Sequence, residues 1–259
     1  MRVRFLGAHN TESRTTRHTC LLIDDCLALD AGGLTSQLSF RRQTQLKAVL
    51  LTHGHYDHIR DVGALAMNLY LRQRSIDIFS TQPVFNTLKT NFLNGETYPN
   101  FFERPPEKPT IRFTVMAPFQ TVQIGDYVVE AVPMNHSVPT VGYRISGPGG
   151  ATVFYTGDAG PGLYESWRHV SPHLLVIEVT ASNQFNEFAN THGHLTPDLL
   201  KQELTTFRQL KGYLPDVAVV HMSPSIESEI AGQLETVAED LDANIFRARE
   251  GREIDIQSP

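Results

Sequence analysis

The chain contains very little cysteine, which excludes a disulfide-dense secreted domain. Only two of its 259 residues are cysteines, Cys20 and Cys26, and both lie in an apolar stretch. Because secreted domains that depend on disulfides carry many cysteines, we expect two buried thiols in a reducing compartment, with a Cys20–Cys26 bridge as the alternative. Residues 1–6 resemble a first strand and lack the long apolar core of a signal peptide. The expected location is therefore cytoplasmic.

The chain also lacks a basic run and a long apolar run. Its 22 Lys and Arg stand against 28 Asp and Glu, for a net charge of -6. Proteins that grip a polyanion usually show a clear basic footprint, so a long nucleic acid is not favoured as a partner. No apolar run approaches the ~18 residues of a membrane span, so no membrane association is expected. The densest basic groups are Arg41 with Arg42, Arg72 with Arg74, and Arg247 with Arg249 and Arg252.

Hydrophobic patterning predicts strands in both halves of the chain, each half ending in strand–helix alternation. This order predicts two mixed sheets that face each other with helices outside, in a single domain over 1–259. The predicted strands are 3–6, 19–23, 26–29, 47–52, 76–79, 111–115, 122–124, 127–132, 141–145, 151–155, 174–179, 217–220 and 245–248, and the predicted helices are 59–72, 83–93, 197–210 and 225–241.

An irregular stretch, 94–109, holds four prolines and the aromatic residues Tyr98, Phe101 and Phe102. Ordered loops of this length often line a site, which is one interpretation of this stretch. The alternative is a surface loop whose aromatics are tucked against the body of the protein. The pattern leaves both open.

The most informative segment is 52–58, Thr-His-Gly-His-Tyr-Asp-His. The imidazoles of His53, His55 and His58 and the carboxylate of Asp57 are all ligands for a borderline metal ion. The segment joins an apolar strand to a helical pattern, so its side chains can converge on one point. Chance produces such a pattern about once in a thousand sequences of this kind, which makes a polar loop with surface histidines the weaker interpretation.

Three further candidates each follow a predicted strand: His136, Asp158 and His221. Loops after the carboxyl ends of strands are where α/β folds place their chemistry. One such residue alone is more often structural. Three of them behind the strong motif at 52–58 predict one metal centre.

In this order of motifs the chain resembles the metallo-β-lactamase superfamily over essentially its whole length. The resemblance implies a four-layer αββα sandwich and two divalent metal ions, with Zn expected first and Mn or Fe as alternatives. It also implies that Asp30 orients a ligand. The implied ligands are His53, His55 and His136 for one metal, Asp57, His58 and His221 for the other, and Asp158 between them; Asp57 is counted with the catalytic residues as well. His9, His18, His169, His173 and His192 are expected not to bind metal.

Two downstream segments indicate the reaction within this superfamily. Glu178 and the block 193–197, Gly-His-Leu-Thr-Pro, resemble a block shared by class II cyclic-nucleotide phosphodiesterases and ribonuclease Z. The resemblance implies that His194 gives a proton to the leaving oxygen, supported by Glu178. The structural alternative is that His194 only precedes a helix with Thr196 as its N-cap and Pro197 in its first turn.

The stretch 158–178 is short, and Arg168 is its only strong base, so the chain offers no basic arm for tRNA. We therefore predict a binuclear phosphodiesterase that hydrolyses a small cyclic nucleotide with a metal-bridging hydroxide. A ribonuclease Z-like or general phosphodiesterase is the alternative enzyme. A metal-bound sensor or scaffold without turnover is the alternative of another class. Relatives in the superfamily are often dimers, so the sequence leaves both a monomer and a homodimer open.

Overall fold

The computed structural model describes residues 1–257, which form fourteen strands and nine α-helices. The strands are Arg2–Gly7 (β1), Cys20–Ile23 (β2), Leu27–Leu29 (β3), Ala48–Leu50 (β4), Ile76–Ser80 (β5), Ile111–Val115 (β6), Thr121–Ile124 (β7), Tyr127–Met134 (β8), Thr140–Ser146 (β9), Thr152–Tyr155 (β10), Leu174–Glu178 (β11), Asp216–Val220 (β12), Ile245–Arg247 (β13) and Glu253–Asp255 (β14). The helices are Leu34–Gln37 (α1), Phe40–Gln43 (α2), Tyr56–Ile59 (α3), Val62–Tyr70 (α4), Gln82–Thr87 (α5), Tyr164–His169 (α6), Asn186–His192 (α7), Pro197–Lys211 (α8) and Glu227–Asp240 (α9).

The strands form two seven-stranded mixed sheets. The first has the order β14-β1-β2-β3-β4-β5-β6, and the second has the order β13-β12-β11-β10-β9-β8-β7. In the first sheet, β3 to β6 run parallel to one another. In the second, β10 to β13 do the same. The central parallel strands β3, β4 and β11 are buried at every position because helices cover the outer face of each sheet, whereas β5 and β6 near the edge include exposed or half-buried positions.

Three apolar clusters account for the layers. One lies between the sheets and includes Phe5, Tyr143 and Tyr155. The second joins the second sheet to the outer helices, with Trp167 and Phe207 among its members. The third joins the first sheet to its own helices. The predicted αββα sandwich is therefore confirmed. Its extent as one domain over 1–259 stays a prediction, and residues 258–259 lie outside the described residues.

Helix boundaries differ from the predictions where short-range signals compete. The helix predicted over 59–72 is two helices, α3 and α4, because α3 starts earlier, inside the histidine segment. The helix predicted over 83–93 ends in a π-helical turn, Leu88–Phe92. Five elements were not predicted at all, namely α1, α2, α6, α7 and β14, since each is short and its apolar pattern is weak.

The loop over 94–109 places its aromatic side chains in the core. Phe101 is 1% exposed and packs with the first sheet and its helices, and Tyr98 and Phe102 are partly buried against the same cluster. The ring of Tyr98 contacts the Gly63 position of α4. Of the two interpretations left open by the sequence, the tucked loop is therefore the one that the structure shows.

In the described residues, 1–257, no helix combines the length and the apolar character needed to cross a membrane. The cytoplasmic location and the homodimer stay predictions.

A buried carboxylate on α8 holds the loop that follows the candidate ligand Asp158. Glu203 is 6% exposed. It accepts hydrogen bonds from the backbone N–H of Gly162 (2.6 Å) and of Leu163 (3.3 Å), and from the indole N–H of Trp167 (2.8 Å). These bonds tie the 158–163 loop to the second sheet's outer helices.

We predict that Glu203→Ala lowers the free energy of unfolding by about 2–5 kcal/mol, because it leaves buried N–H groups without an acceptor at ~1–3 kcal/mol each. Urea denaturation followed by circular dichroism measures this. Glu239→Ala, at an exposed position of α9, is the control and should change the free energy by less than ~0.5 kcal/mol. Equal stability of the two variants would contradict the assignment.

Candidate metal centre

All seven predicted ligands meet at one edge of the sandwich. The segment from His53 to His58 leaves the carboxyl end of β4 and enters α3, Asp158 follows β10, and His221 follows β12. His136 follows β8, the long antiparallel strand beside β9. Because the two sheets face each other, these loops converge from both of them.

The first group of converging atoms is His53, His55, His136 and Asp158, whose ligand atoms all lie within 4.8 Å of one another. His53 Nε2 lies 3.0 Å from His55 Nδ1, which in turn lies 3.3 Å from His136 Nε2. Asp158 Oδ2 lies 3.8 Å from His53 Nε2 and 3.9 Å from His136 Nε2. The atoms therefore point to a common centre, as the ligands of one metal ion do.

The second group is Asp57, His58, His221 and Asp158, again within 4.8 Å. His58 Nε2 lies 3.5 Å from Asp57 Oδ2 and 3.2 Å from Asp158 Oδ1. His221 Nε2 lies 3.2 Å from Asp57 Oδ2 and 3.5 Å from Asp158 Oδ2. Asp158 thus belongs to both groups. Its Oδ2 faces His53, His136 and His221, and its Oδ1 faces His58.

Two buried atoms test whether metal ions fit here. Among the described residues, His58 Nε2 and Asp158 Oδ1 are buried without a hydrogen-bond partner. Their 3.2 Å separation is close enough for a bond, but their orientation does not make one. Buried polar atoms are nearly always paired, so two such atoms that converge without bonding fit a site for a cation. The His and Asp donor set is also the one that Zn, Mn and Fe accept.

Asp30 orients this second group, as the resemblance implied. Its buried carboxylate accepts hydrogen bonds from the backbone N–H of Thr52 (2.7 Å), from the Tyr155 hydroxyl (2.7 Å) and from His58 Nδ1 (2.7 Å). The bond to Nδ1 fixes the tautomer of His58 and leaves its Nε2 to face Asp158. Thr52 also contacts His53, with its hydroxyl 3.0 Å from Nδ1. Sequence reasoning missed Thr52 and Tyr155, because neither is a ligand type.

The backbone of the centre carries strain at two predicted residues. Asp30 and His221 have positive φ values of 56° and 63°. Residues other than glycine adopt this left-handed conformation rarely, and it is found most often at functional sites. At Asp30 it turns the chain so that the carboxylate faces His58.

A glycine brings the downstream block against the first group. Gly193 has φ 74°, and a Cβ at its position would lie 2.8 Å from the Cα of His136. Its carbonyl accepts a 2.7 Å hydrogen bond from His136 Nδ1, which leaves Nε2 of that ring to face the centre. Only glycine combines this backbone angle with this close approach. Gly193 was quoted in the sequence motif, but this contact could not be predicted from it.

A hydroxyl links the second group to Glu178. The Thr180 hydroxyl donates to Glu178 Oε2 (2.7 Å) and can then accept from His221 Nδ1, which lies 2.8 Å away. This arrangement leaves His221 Nε2 to face Asp57 and Asp158. Thr180 is a positioning residue that the sequence did not reveal, because a lone threonine after a strand carries no signal.

The Glu178 carboxylate is fully buried and accepts from four groups, one of which is His194. His194 Nδ1 donates to Oε1 at 2.6 Å, and the backbone N–H groups of Ala159 and Leu195 donate to the two oxygens at 3.1 and 3.3 Å. Burial lowers the pKa of His194, but the charge and hydrogen bond of Glu178 outweigh it and raise that pKa to about 9. The ring of His194 lies 5.0 Å from that of His136 and 5.6 Å from that of His221.

Thr196 also acts as predicted by the structural alternative. Its hydroxyl caps α8 by accepting from the backbone N–H of Leu199, with Pro197 in the first turn. The structural alternative is therefore confirmed for Thr196 and Pro197, and it is compatible with a ring of His194 beside the centre; the role of His194 as proton donor stays a prediction.

Burial and nearby charges shift the pKa values of the imidazoles in opposite directions. Burial and the neighbouring rings lower the pKa of His53, so that it is neutral, the form that binds metal. Burial lowers the pKa of His136 in the same way. Burial opposes the charged form of His58, but the carboxylates of Asp158 and Asp30 outweigh it and raise its pKa well above the ordinary value. The two carboxylates thus stabilise positive charge at this position, as they would stabilise a bound cation.

Asp158, Glu178, His194 and His221 form a third group of converging ligand atoms, again within 4.8 Å of one another. The five remaining histidines lie outside the groups found in residues 1–257; these are His9, His18, His169, His173 and His192. His9 sits between Glu250 (2.7 Å) and Glu227 (3.4 Å), and His192 is stacked on Phe188 with its Nδ1 on that residue's carbonyl. Their contacts are structural.

Residues 21–224 match the family described as the Beta-lactamase superfamily domain. The 3′,5′-cyclic-nucleotide phosphodiesterase of Aliivibrio fischeri is 22% identical over 217 residues, which cover 74% of this chain and 64% of that protein. The ribonuclease Z of Synechococcus sp. (strain CC9311) is 28% identical over 158 residues, which cover 56% of this chain and 48% of that protein. The chain thus spans less than two thirds of the length of either curated relative.

Among solved structures, the crystal structure of unliganded yeast PDE1 is similar with a TM-score of 0.84. It is 15% identical, and the match covers 97% of this chain and 98% of that one. This likeness concerns the fold.

We predict that Asp30→Ala lowers zinc affinity about 10–100-fold, because residues that orient a ligand contribute that much to metal binding. Zinc titration against a competing chelator measures it, with circular dichroism to verify the fold. Tyr155→Phe removes one donor to Asp30 and should lower the affinity less. Asp240→Ala, at an exposed carboxylate paired with Lys201, is the control, and wild-type affinity in Asp30→Ala would refute the role.

Proposed function

The chain belongs to the beta-lactamase superfamily, and from that premise we propose that it is a binuclear metal-dependent phosphodiesterase acting on a small cyclic nucleotide. The observation that carries the proposal is the hydrogen-bonded pair of His194 and Glu178 beside two groups of converging ligand atoms. A proton donor at a metal centre is the combination that cleavage of a phosphodiester needs.

In this proposal two divalent ions, zinc first and manganese or iron otherwise, are held by the two groups. Metal ions held there would lower the pKa of a bound water and would place positive charge near the phosphoryl oxygens. The ligands would be His53, His55 and His136 for one ion, Asp57, His58 and His221 for the other, and Asp158 for both.

The proton moves through His194. Its Nδ1–H is engaged by Glu178 at 2.6 Å, so the proton available to a substrate is the one on Nε2. A pKa of about 9 keeps that ring protonated at neutral pH. The imidazolium can then donate to the leaving ribose oxygen as general acid. Glu178 stays in place because backbone N–H groups of Ala159 and Leu195 hold its oxygens.

The charge distribution supports a small substrate. Phosphate contacts from Lys and Arg supply most of the affinity for a polynucleotide, and the chain has a net charge of -6. Between the centre's Asp158 and Glu178, the only strong base is Arg168, and it pairs with Glu165 at 3.1 Å. The similarity to a cyclic-nucleotide phosphodiesterase supports the same conclusion.

The similarity to ribonuclease Z keeps one alternative substrate, a tRNA precursor. A metal-bound sensor without turnover is the alternative of another class. The complete set of ligand atoms and the His194–Glu178 pair weigh against it, because a sensor needs no proton donor.

We predict that cyclic AMP or cyclic GMP is hydrolysed with a higher kcat/KM than a tRNA precursor when zinc, manganese or iron is restored to the metal-free protein. Product release at equal substrate concentrations measures this. Preference for the transcript would favour the ribonuclease, and two bound metals without turnover of any phosphodiester would favour the sensor.

His194→Ala should lower kcat about 10²–10⁴-fold, the usual contribution of a general acid. Metal content, measured by plasma mass spectrometry, should not change. His192→Ala is the matched control, two positions away and outside the centre. Loss of metal from His194→Ala would mean that this ring is a ligand.

Glu178→Gln should move the basic limb of the kcat–pH profile to lower pH. A general acid must be protonated, so activity falls as the pH rises through its pKa. The charge of Glu178 raises the pKa of His194, and removing that charge lowers it. A limb that stays in place would show that another group titrates there.

A further inference from the structure

An uncharged groove runs away from the candidate metal centre. A small cavity of 170 Å³ has His55 and Gly54 in its wall, together with Pro83 and Pro139. A larger cavity of 600 Å³ shares Pro83 and Pro139 with it. The two cavities are therefore neighbours, separated by no more than these shared prolines, and the smaller one includes a predicted metal ligand.

We call the larger cavity the proline groove. Its walls are apolar and stiff, because proline side chains are already rigid and lose little freedom when a ligand binds. Its volume lies within the ~300–1,000 Å³ of small-molecule sites. The apolar residues that line it are Pro83, Val115, Met116, Pro118, Met134 and Pro139.

No charged side chain is among the described residues that line either cavity. The polar lining is neutral and includes the amides of Gln82 and Gln120. A polynucleotide backbone or a second phosphate would have no cation to meet here. A flat, neutral group can pack its faces against the apolar walls, and its edges can form hydrogen bonds with the amides.

We propose that the proline groove binds the nucleobase of a mononucleotide substrate whose phosphodiester lies at the metal centre. The inference rests on the proposed function and adds to it the group that selects the substrate. Two observations carry it: the shared wall at Pro83 and Pro139, which joins the groove to His55, and the absence of charge along its lining. Val115, 42% exposed on that wall, is apolar surface that a base would cover.

Charge substitutions at Val115 test the proposal. Val115→Asp and Val115→Arg each place a charge that must lose water when the base binds, whatever its sign. The substrates are cyclic AMP and methyl ribofuranoside 3′,5′-cyclic phosphate, which has the same diester and no base. Both variants should lower the ratio of kcat/KM for cyclic AMP to that for the base-free diester about tenfold, which corresponds to roughly 1.4 kcal/mol.

Val128 supplies the matched control. It is another exposed strand valine, 37% exposed on β8, and does not line the groove. Val128→Asp and Val128→Arg should leave the ratio as in the wild type, and thermal melting verifies that all four variants are folded. If the introduced charge instead acted on the phosphate, the Asp and Arg variants would change kcat/KM in opposite directions. The change would then be the same for both substrates. That result, or an unchanged ratio in the Val115 variants, would overturn the proposal.

The outcome also separates this proposal from the proposed function. Wild-type hydrolysis of both diesters with equal kcat/KM would refute the groove and leave the phosphodiesterase standing. Hydrolysis of neither would refute the phosphodiesterase. The groove is then decided by adenosine binding, measured by saturation-transfer NMR. Loss of that binding in both Val115 variants but not in the Val128 variants supports the groove, and any other pattern refutes it.

Discussion

A buried carboxylate needs positive charge beside it to stay ionised. Asp158 is such a carboxylate, and the arrangement of the whole centre depends on it. It is 2% exposed and belongs to all three groups of converging ligand atoms. Burial opposes its ionised form, yet the charges of His221 and His58 keep its pKa well below the usual value. Such a group is stable only among cations. The imidazoles around it, and the metal ions that they can hold, answer that need.

The centre depends on positioning contacts as much as on the ligands. Thr52, Tyr155 and Thr180 are short or neutral side chains that bond the carboxylates and the outer nitrogens of the imidazoles. Asp30 holds His58 after the first sheet's β4 directly, and Glu178 holds His221 after the second sheet's β12 through Thr180. Each imidazole is thereby left with one nitrogen aimed inward, which is the form that binds metal. The rigidity comes from the strands, since every one of these residues lies within a few positions of a strand end.

Chemistry and selection of substrate are separated in space. In the proposed function, the two ligand groups and the His194–Glu178 pair would act on any phosphodiester, and nothing in them distinguishes one nucleotide from another. Selection needs surface that touches the remainder of the substrate. The proline groove is such a surface, and its neutral lining fits the balance of charge in the chain as a whole.

The convergence of the candidate ligands could be predicted from the sequence because these residues are few, chemically distinctive and placed after apolar strands. The spacing of His53, His55, Asp57 and His58 on one turn leaves little freedom in how they face. The downstream residues His194 and Glu178 were predicted because they resemble a known block. The fold class followed from the resemblance together with the order of apolar strands and amphipathic helices, which can be buried by two sheets that face each other with helices outside.

What the tertiary structure alone decided are contacts between segments far apart in the chain. Tyr155 reaches Asp30 across 125 positions, and the Gly193 carbonyl reaches His136 across 57. The same is true of the aromatics of 94–109, which pack in the core, and of the groove, whose walls come from four separate stretches. Local pattern reports which face of an element is apolar. It does not report which distant element covers that face, because that depends on how two whole sheets pack.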